Sequence, residues 1–170
     1  MSRSFRSVDW FALLALAGVL LIPVTAVVAA AWVAHLDLLY LVALTGLAVG
    51  LAFATTRWPG LLLHPLALLG GSLFTIDLVA GTLPYEDRLD RWQRLGERLI
   101  SWFRLILAGG AATDNVLFLL VLAGITWGIA YLGAWSVFRR GSAWLPILST
   151  GTALLLNVAQ APELRGFVLS

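Results

Sequence analysis

Long apolar runs separated by short polar turns make up most of the chain. A helix needs about 20 mainly apolar residues to cross about 30 Å of hydrocarbon. By this criterion the pattern predicts five transmembrane helices, over residues 10–33, 38–54, 60–79, 115–138 and 143–159. A last apolar run, 166–170, is too short to cross and is expected to be an interfacial stub or the start of a sixth helix. The predicted fold is an all-α integral membrane protein with a single polytopic membrane domain.

Residues 84–107, between the third and fourth predicted spans, follow a different pattern. Plotted on a helix, the apolar residues fall on one face and the charged residues on the other, which predicts an amphipathic helix. We expect this helix to lie in the membrane interface with Trp92 and Trp102 at headgroup depth, while Arg94 and Arg98 belong to its polar side. The alternative is a helix packed over the ends of the spans.

The composition excludes most soluble functions. Of 170 residues, 61% are hydrophobic and 12% charged, whereas soluble domains have about 45–50% and about 25%. The 11 arginines are scattered among 9 acidic residues, which argues against a nucleic-acid surface. The absence of cysteine excludes disulfides and a thiolate nucleophile, and two histidines leave little for a metal centre. We therefore expect no cofactor, and as partners the lipid bilayer and other membrane subunits.

Arginines flank the predicted spans on both sides, so their total number does not set the orientation. The short loops carry Arg57, Arg139 and Arg140 on the same side as the N-terminal Arg3 and Arg6. Short loops and the first helix usually dominate insertion. The N-terminus is therefore expected in the cytoplasm and the amphipathic helix outside.

Asp77 is the most costly residue for the bilayer, because it lies inside the third predicted span. One interpretation is a structural carboxylate that reaches water or an arginine of the amphipathic helix. The other is the coupling residue of a small proton-linked transporter, with Asn157 and Thr126 along its path. Asn157 also fits a hydrogen bond to a neighbouring helix.

Two glycine pairs have the spacing that allows helices to approach closely, Gly46 with Gly50 and Gly124 with Gly128. We expect them to serve helix packing within the chain. His64 is interpreted as an interface residue, with haem or chlorophyll ligation as the alternative. No nucleophile–base pair or known catalytic motif is evident, so an enzyme is not expected.

Several segments of the second half resemble a known family. They are a span entry with Thr113, Asp114, Leu117 and Phe118, an exit from Tyr131 to Arg140, and the run from Trp144 to Asn157 that precedes Ala161 and Pro162. In this order, after an outer amphipathic helix, they resemble the N-terminal membrane region of bacterial transglutaminase-like membrane proteins of the Chloroflexota type.

The resemblance implies a bacterial inner-membrane protein without catalytic residues of its own, since the family's cysteine–histidine–aspartate chemistry belongs to a separate domain. The predicted function is a non-catalytic membrane anchor or an accessory transmembrane subunit of a larger assembly. A quinol-oxidising electron-transport complex such as alternative complex III is one such host. The alternatives are the anchor of a transglutaminase-like protein acting alone and the small transporter that uses Asp77.

Overall fold

The computed structural model describes residues 9–110 and 114–160, with side chains up to residue 155. In these ranges the chain forms six α-helices and no strand. The helices are α1 (Trp10–Ala30), α2 (Leu38–Thr55), α3 (Gly60–Ala80), α4 (Arg88–Leu107), α5 (Asn115–Arg140) and α6 (Trp144–Gln160).

Four of the described helices, α1, α2, α3 and α5, are long and apolar enough to cross a membrane by length and composition. The predicted all-helical membrane class is confirmed to this extent. The fifth predicted span corresponds to α6, a shorter apolar helix whose membrane crossing stays a prediction. Residues 166–170 lie outside the described part of the chain.

Two predicted boundaries were wrong, each for a local reason. The first helix ends at Ala30 and not at residue 33, because Ala31 adopts a left-handed conformation with φ of 50° and its N–H bonds back to the Val28 carbonyl. The amphipathic helix begins at Arg88 and not at residue 84, because Asp87 is extended and its carboxylate accepts the Leu89 N–H as an N-cap. The other boundaries differ from the prediction by one or two residues at most.

The central helix of the described bundle is α5, which packs against α1, α2, α3 and α6. Its closest neighbour is α2, and the two run parallel: Gly46 faces Trp127 and Ala130, and one turn later Gly50 faces Tyr131 and Ala134. The antiparallel α3 packs against α5 through Gly71, which lies beside the indole of Trp127. Small residues therefore set the separation of the central helices.

Helix α4 packs against the C-terminal end of α3 and the beginning of α5. Leu95 is its buried residue, in a cluster with Ala80, Leu83 and Leu117. Other apolar side chains of the same face border that cluster, namely Trp92, Leu99 and Trp102. The bundle thus fixes one side of α4, and this contact holds the helix beside the ends of α3 and α5.

Candidate functional site

Asp77 lies in the last turn of α3 and connects that helix to α4. Its Oδ1 accepts hydrogen bonds from Arg88 Nε at 2.8 Å and from Trp92 Nε1 at 2.9 Å. The two donors lie one turn apart on α4 and meet at one oxygen. The Asp77 side chain is 39% exposed. The structure therefore places this carboxylate at the edge of the bundle, paired with an arginine of the amphipathic helix.

A second polar contact joins α4 to α5. Arg98 Nη1 lies 3.3 Å from Asp114 Oδ2. Asp114 is also the N-cap of α5, since its Oδ1 accepts the backbone N–H groups of Val116 and Leu117. We refer to the two contacts, Asp77 with Arg88 and Trp92 and Asp114 with Arg98, as the α4 clasp.

An open groove of about 770 Å³ separates the polar side of α4 from the beginning of α5. It contains three residues singled out from the sequence, Arg94, Arg98 and Trp102. Arg94 is paired with Glu97 at 3.1 Å, and its guanidinium lies 5.8 Å from the centre of the Tyr85 ring. The remaining lining residues include Glu97, Ser101, Leu105, Asp114 and Asn115. The groove is thus lined by opposite charges and two aromatic rings.

The apolar face of α4 is wider than its contact with the bundle. Beside the buried strip lies a second apolar flank formed by Leu89, Ile100, Phe103 and Leu107. All four side chains are more than half exposed, and Leu107 is 85% exposed. We refer to these four residues as the outer flank of α4.

The two glycine pairs occupy different surroundings. A Cβ at Gly46 would lie 3.0 Å from Ala130 Cβ, and one at Gly50 would lie 2.5 Å from the Tyr131 carbonyl oxygen. By contrast, no described atom lies within 4 Å of a Cβ built at Gly124 or Gly128. Asn157 belongs to α6, but its side chain is outside the described part.

A polar cluster at the opposite end of α3 was missed by sequence reasoning. His64 Nδ1 and the Tyr131 hydroxyl are 2.8 Å apart, and the His64 ring centre is 4.7 Å from that of Trp135. His64 and Tyr131 are 67 positions apart in the chain. Because no local spacing connects them, only the antiparallel packing of α3 and α5 brings them together.

Arg139 completes this end of the bundle by holding the turn between α2 and α3. Its guanidinium donates to the backbone carbonyls of Ala54, Thr56 and Trp58. It also lies 5.2 Å from the Trp135 ring centre. The His64 cluster and the α4 clasp therefore fix opposite ends of α3.

Among the described residues, no group of three or more histidine, cysteine, aspartate and glutamate side chains is placed to hold a metal ion. The chemistry that these residues offer is ion pairing and hydrogen bonding between helices. No protein-family model matches the chain, and no similar curated protein or solved structure was found.

Proposed function

We propose that the protein is a non-catalytic polytopic membrane module in which α4 lies in the membrane interface, and that it anchors or supports a larger membrane assembly. The observation that carries this proposal is the outer flank of α4. Four exposed apolar side chains lie beside a face already packed on the bundle. In water this flank would be costly, whereas at the boundary of the hydrocarbon it is covered by lipid.

The position of α4 supports the same arrangement. Helix α4 follows directly on α3 and leads into α5, which are both long enough to cross the membrane. The α4 clasp ties it to the ends of these two helices. A helix held at the ends of two spans lies at the depth where spans leave the hydrocarbon.

The surroundings of Asp77 support a structural role over the transporter alternative. Its Oδ1 already accepts from Arg88 and Trp92, and the side chain is partly exposed at the end of α3. Carboxylates that carry protons in transporters face the interior of the bundle or an aqueous path. We therefore assign Asp77 to the attachment of α4.

We further propose that α6 is a fifth crossing and that the N-terminus of this bacterial inner-membrane protein lies in the cytoplasm. The described part of α6 packs along α1 and α5, and Pro146 lies against Gly133. As host we propose either a transglutaminase-like protein or an electron-transport complex to which this chain contributes no redox group.

The depth of α4 is directly measurable because the chain contains no cysteine. Spin labels at Phe103→Cys on the outer flank and at Asp90→Cys on the exposed polar side provide a matched pair. In bilayers we expect oxygen to relax the label at Phe103 far more than a water-soluble nickel complex does, with the reverse at Asp90. Equal access of the nickel complex to both labels would contradict an interfacial α4.

The supporting role is tested by purifying the native chain in mild detergent and identifying its stoichiometric companions by mass spectrometry. Redox subunits in fixed ratio would support an accessory subunit of an electron-transport complex. A covalent extension that carries a cysteine nucleophile would support the transglutaminase-like anchor. A single monodisperse species without companion or extension would contradict both.

A further inference from the structure

We propose that the groove between α4 and the beginning of α5 binds the headgroup of a phospholipid that carries a phosphate and a primary ammonium. This inference rests on the proposed interfacial position of α4 and adds a ligand to it. Arg94 and Arg98 would hold the phosphate, and Glu97 would accept hydrogen bonds from the ammonium.

The charges of the groove favour a ligand with both signs and no net charge. Its lining contains two guanidinium groups, Arg94 and Arg98, and two carboxylates, Glu97 and Asp114. These charges sum to zero, so an anionic headgroup or a free phosphate would leave an excess of negative charge. A zwitterionic headgroup complements the groove and leaves it neutral.

The arginines retain donors for a phosphate. In their ion pairs Arg94 and Arg98 each use Nη1, whereas a guanidinium has five N–H donors in a planar fork suited to phosphate oxygens. Their side chains are 56% and 44% exposed, so the fork is accessible from the groove.

The two carboxylates are not equivalent. Asp114 caps α5 and is 27% exposed, so it is committed to the helix terminus. Glu97 is 65% exposed and contacts Arg94 through Oε2. A primary ammonium has three donors for such a carboxylate, while a quaternary ammonium has none. Because of Glu97, we expect the groove to prefer a phospholipid with a primary ammonium over one with a quaternary ammonium, although both have the same net charge.

The groove also lies at a suitable depth. It is located where α5 begins, at the boundary between a charged segment and an apolar span. Tyr85 and Trp102 line it, and such rings are enriched at headgroup level. Leu105 also lines the groove and is 45% exposed, so the groove offers an apolar side chain beside its charges.

The test uses the full chain in mild detergent with an equimolar mixture of phosphatidylethanolamine, phosphatidylcholine and phosphatidylglycerol of identical acyl chains. Native mass spectrometry counts the lipids that remain bound. We expect the ethanolamine lipid to be retained about tenfold over the choline lipid, the ratio for one hydrogen bond to a charged group. Glu97→Gln should bring that ratio close to one, and Arg94→Gln should lower retention of all three lipids.

Arg104→Gln is the matched control, because Arg104 is an exposed arginine of the same helix that does not line the groove. It should leave the lipid ratios unchanged, and melting temperatures should show that all variants are folded. Equal retention of the three lipids, preferred retention of the glycerol lipid, or complete displacement of the lipids by inorganic phosphate would overturn the proposal. If the spin-label depths still place α4 in the interface, that result leaves the proposed function intact.

Discussion

Gly70 and Gly71 are neighbours in α3 with opposite surroundings. A Cβ at Gly71 would overlap the Trp127 indole, whereas one at Gly70 would have no described atom within 4 Å. The Trp127 indole N–H is buried without an acceptor among the described residues. Because no hydrogen bond among the described residues positions the Trp127 ring, its packing against Gly71 does so. Within a membrane such packing is the main source of helix association.

We predict that Gly71→Ala destabilises the folded bundle by about 1–3 kcal/mol, the usual cost of overpacking a tight site. The matched control is Gly70→Ala, which gains helix propensity without a clash and should be neutral or slightly stabilising. Thermal unfolding of both variants in the same detergent measures the difference. Equal melting temperatures would show that the Trp127 ring moves aside at little cost.

Asp77 shows how much of a polar contact is visible from the sequence. Its position near the end of a span and the arginine-rich segment after it made an arginine of the amphipathic helix one of the expected partners, beside water and a transport role. The choice of Arg88 depends on where α4 begins, and that boundary was wrong by four residues. The hydrogen bond from Trp92 was not predicted, because tryptophan on an apolar face indicates burial and not donation to a carboxylate.

Among the elements, α4 is attached by few contacts: one buried leucine, three bordering apolar side chains and the α4 clasp. Arg88 is 74% exposed, so its ion pair with Asp77 contributes little by itself. The Trp92 indole N–H is partly buried and donates its hydrogen bond to the same Asp77 oxygen. The hydrogen bond to Trp92 is therefore the more important half of this contact.

We predict a graded response at position 77. Asp77→Asn keeps an oxygen that accepts from Trp92 and should weaken the attachment of α4 only slightly. Asp77→Ala leaves the indole N–H without a partner, at a cost of about 1–3 kcal/mol. Hydrogen exchange over residues 88–107 should therefore accelerate clearly for Asp77→Ala, little for Asp77→Asn, and not at all for Asp37→Asn, an exposed control in the turn before α2. If exchange accelerated equally in the asparagine and alanine variants, the negative charge of Asp77, and not its hydrogen bond with Trp92, would hold α4 in place.

The contact between α2 and α5 leads to another prediction. A Cβ at Gly50 would lie 2.5 Å from the Tyr131 carbonyl oxygen and 2.7 Å from Ala134 Cβ. A backbone atom cannot turn away as a side chain can, so Gly50→Ala should force the helices apart and cost about 1–3 kcal/mol. Gly128→Ala introduces the same methyl group into open space on α5 and should not lower the melting temperature. Equal losses in the two variants would contradict the close parallel contact.

The helices themselves were predictable because a long apolar run has few alternatives in a bilayer. Their partners were not. Gly46 with Gly50 and Gly124 with Gly128 have the same spacing, yet the described neighbours differ completely. The contact between His64 and Tyr131 was not predictable either, because the two residues are 67 positions apart and share no local pattern. Spacing along one helix identifies a candidate face, but only the arrangement of the bundle determines what lies against it.

Of the described helices around α5, α2 runs parallel to it, whereas α1, α3 and α6 run antiparallel. This arrangement places the turn between α1 and α2 at one end, together with α4. The turn between α2 and α3 and the turn after α5 lie at the other end, where Arg139 connects to the carbonyls of residues 54–58. With a cytoplasmic N-terminus, the end that carries α4 is expected outside and the end that carries Arg139 in the cytoplasm.

We predict that an impermeant maleimide added to intact spheroplasts labels His35→Cys, and leaves Trp58→Cys and Ser142→Cys unlabelled until the membrane is broken. This outcome follows from a cytoplasmic N-terminus and alternating crossings. The opposite pattern would reverse the orientation, and labelling of all three would contradict the alternation. A reporter fused after the last residue should appear outside if α6 also crosses.

The parallel contact of α2 with α5 also affects how the protein is made. During synthesis α2 enters the membrane well before α5 exists, so Gly46 and Gly50 first face lipid or the insertion machinery. The contact between α2 and α5 can close only after three further helices have emerged from the ribosome. A chain that stops before α5 would leave the glycine face of α2 without the helix that packs against it.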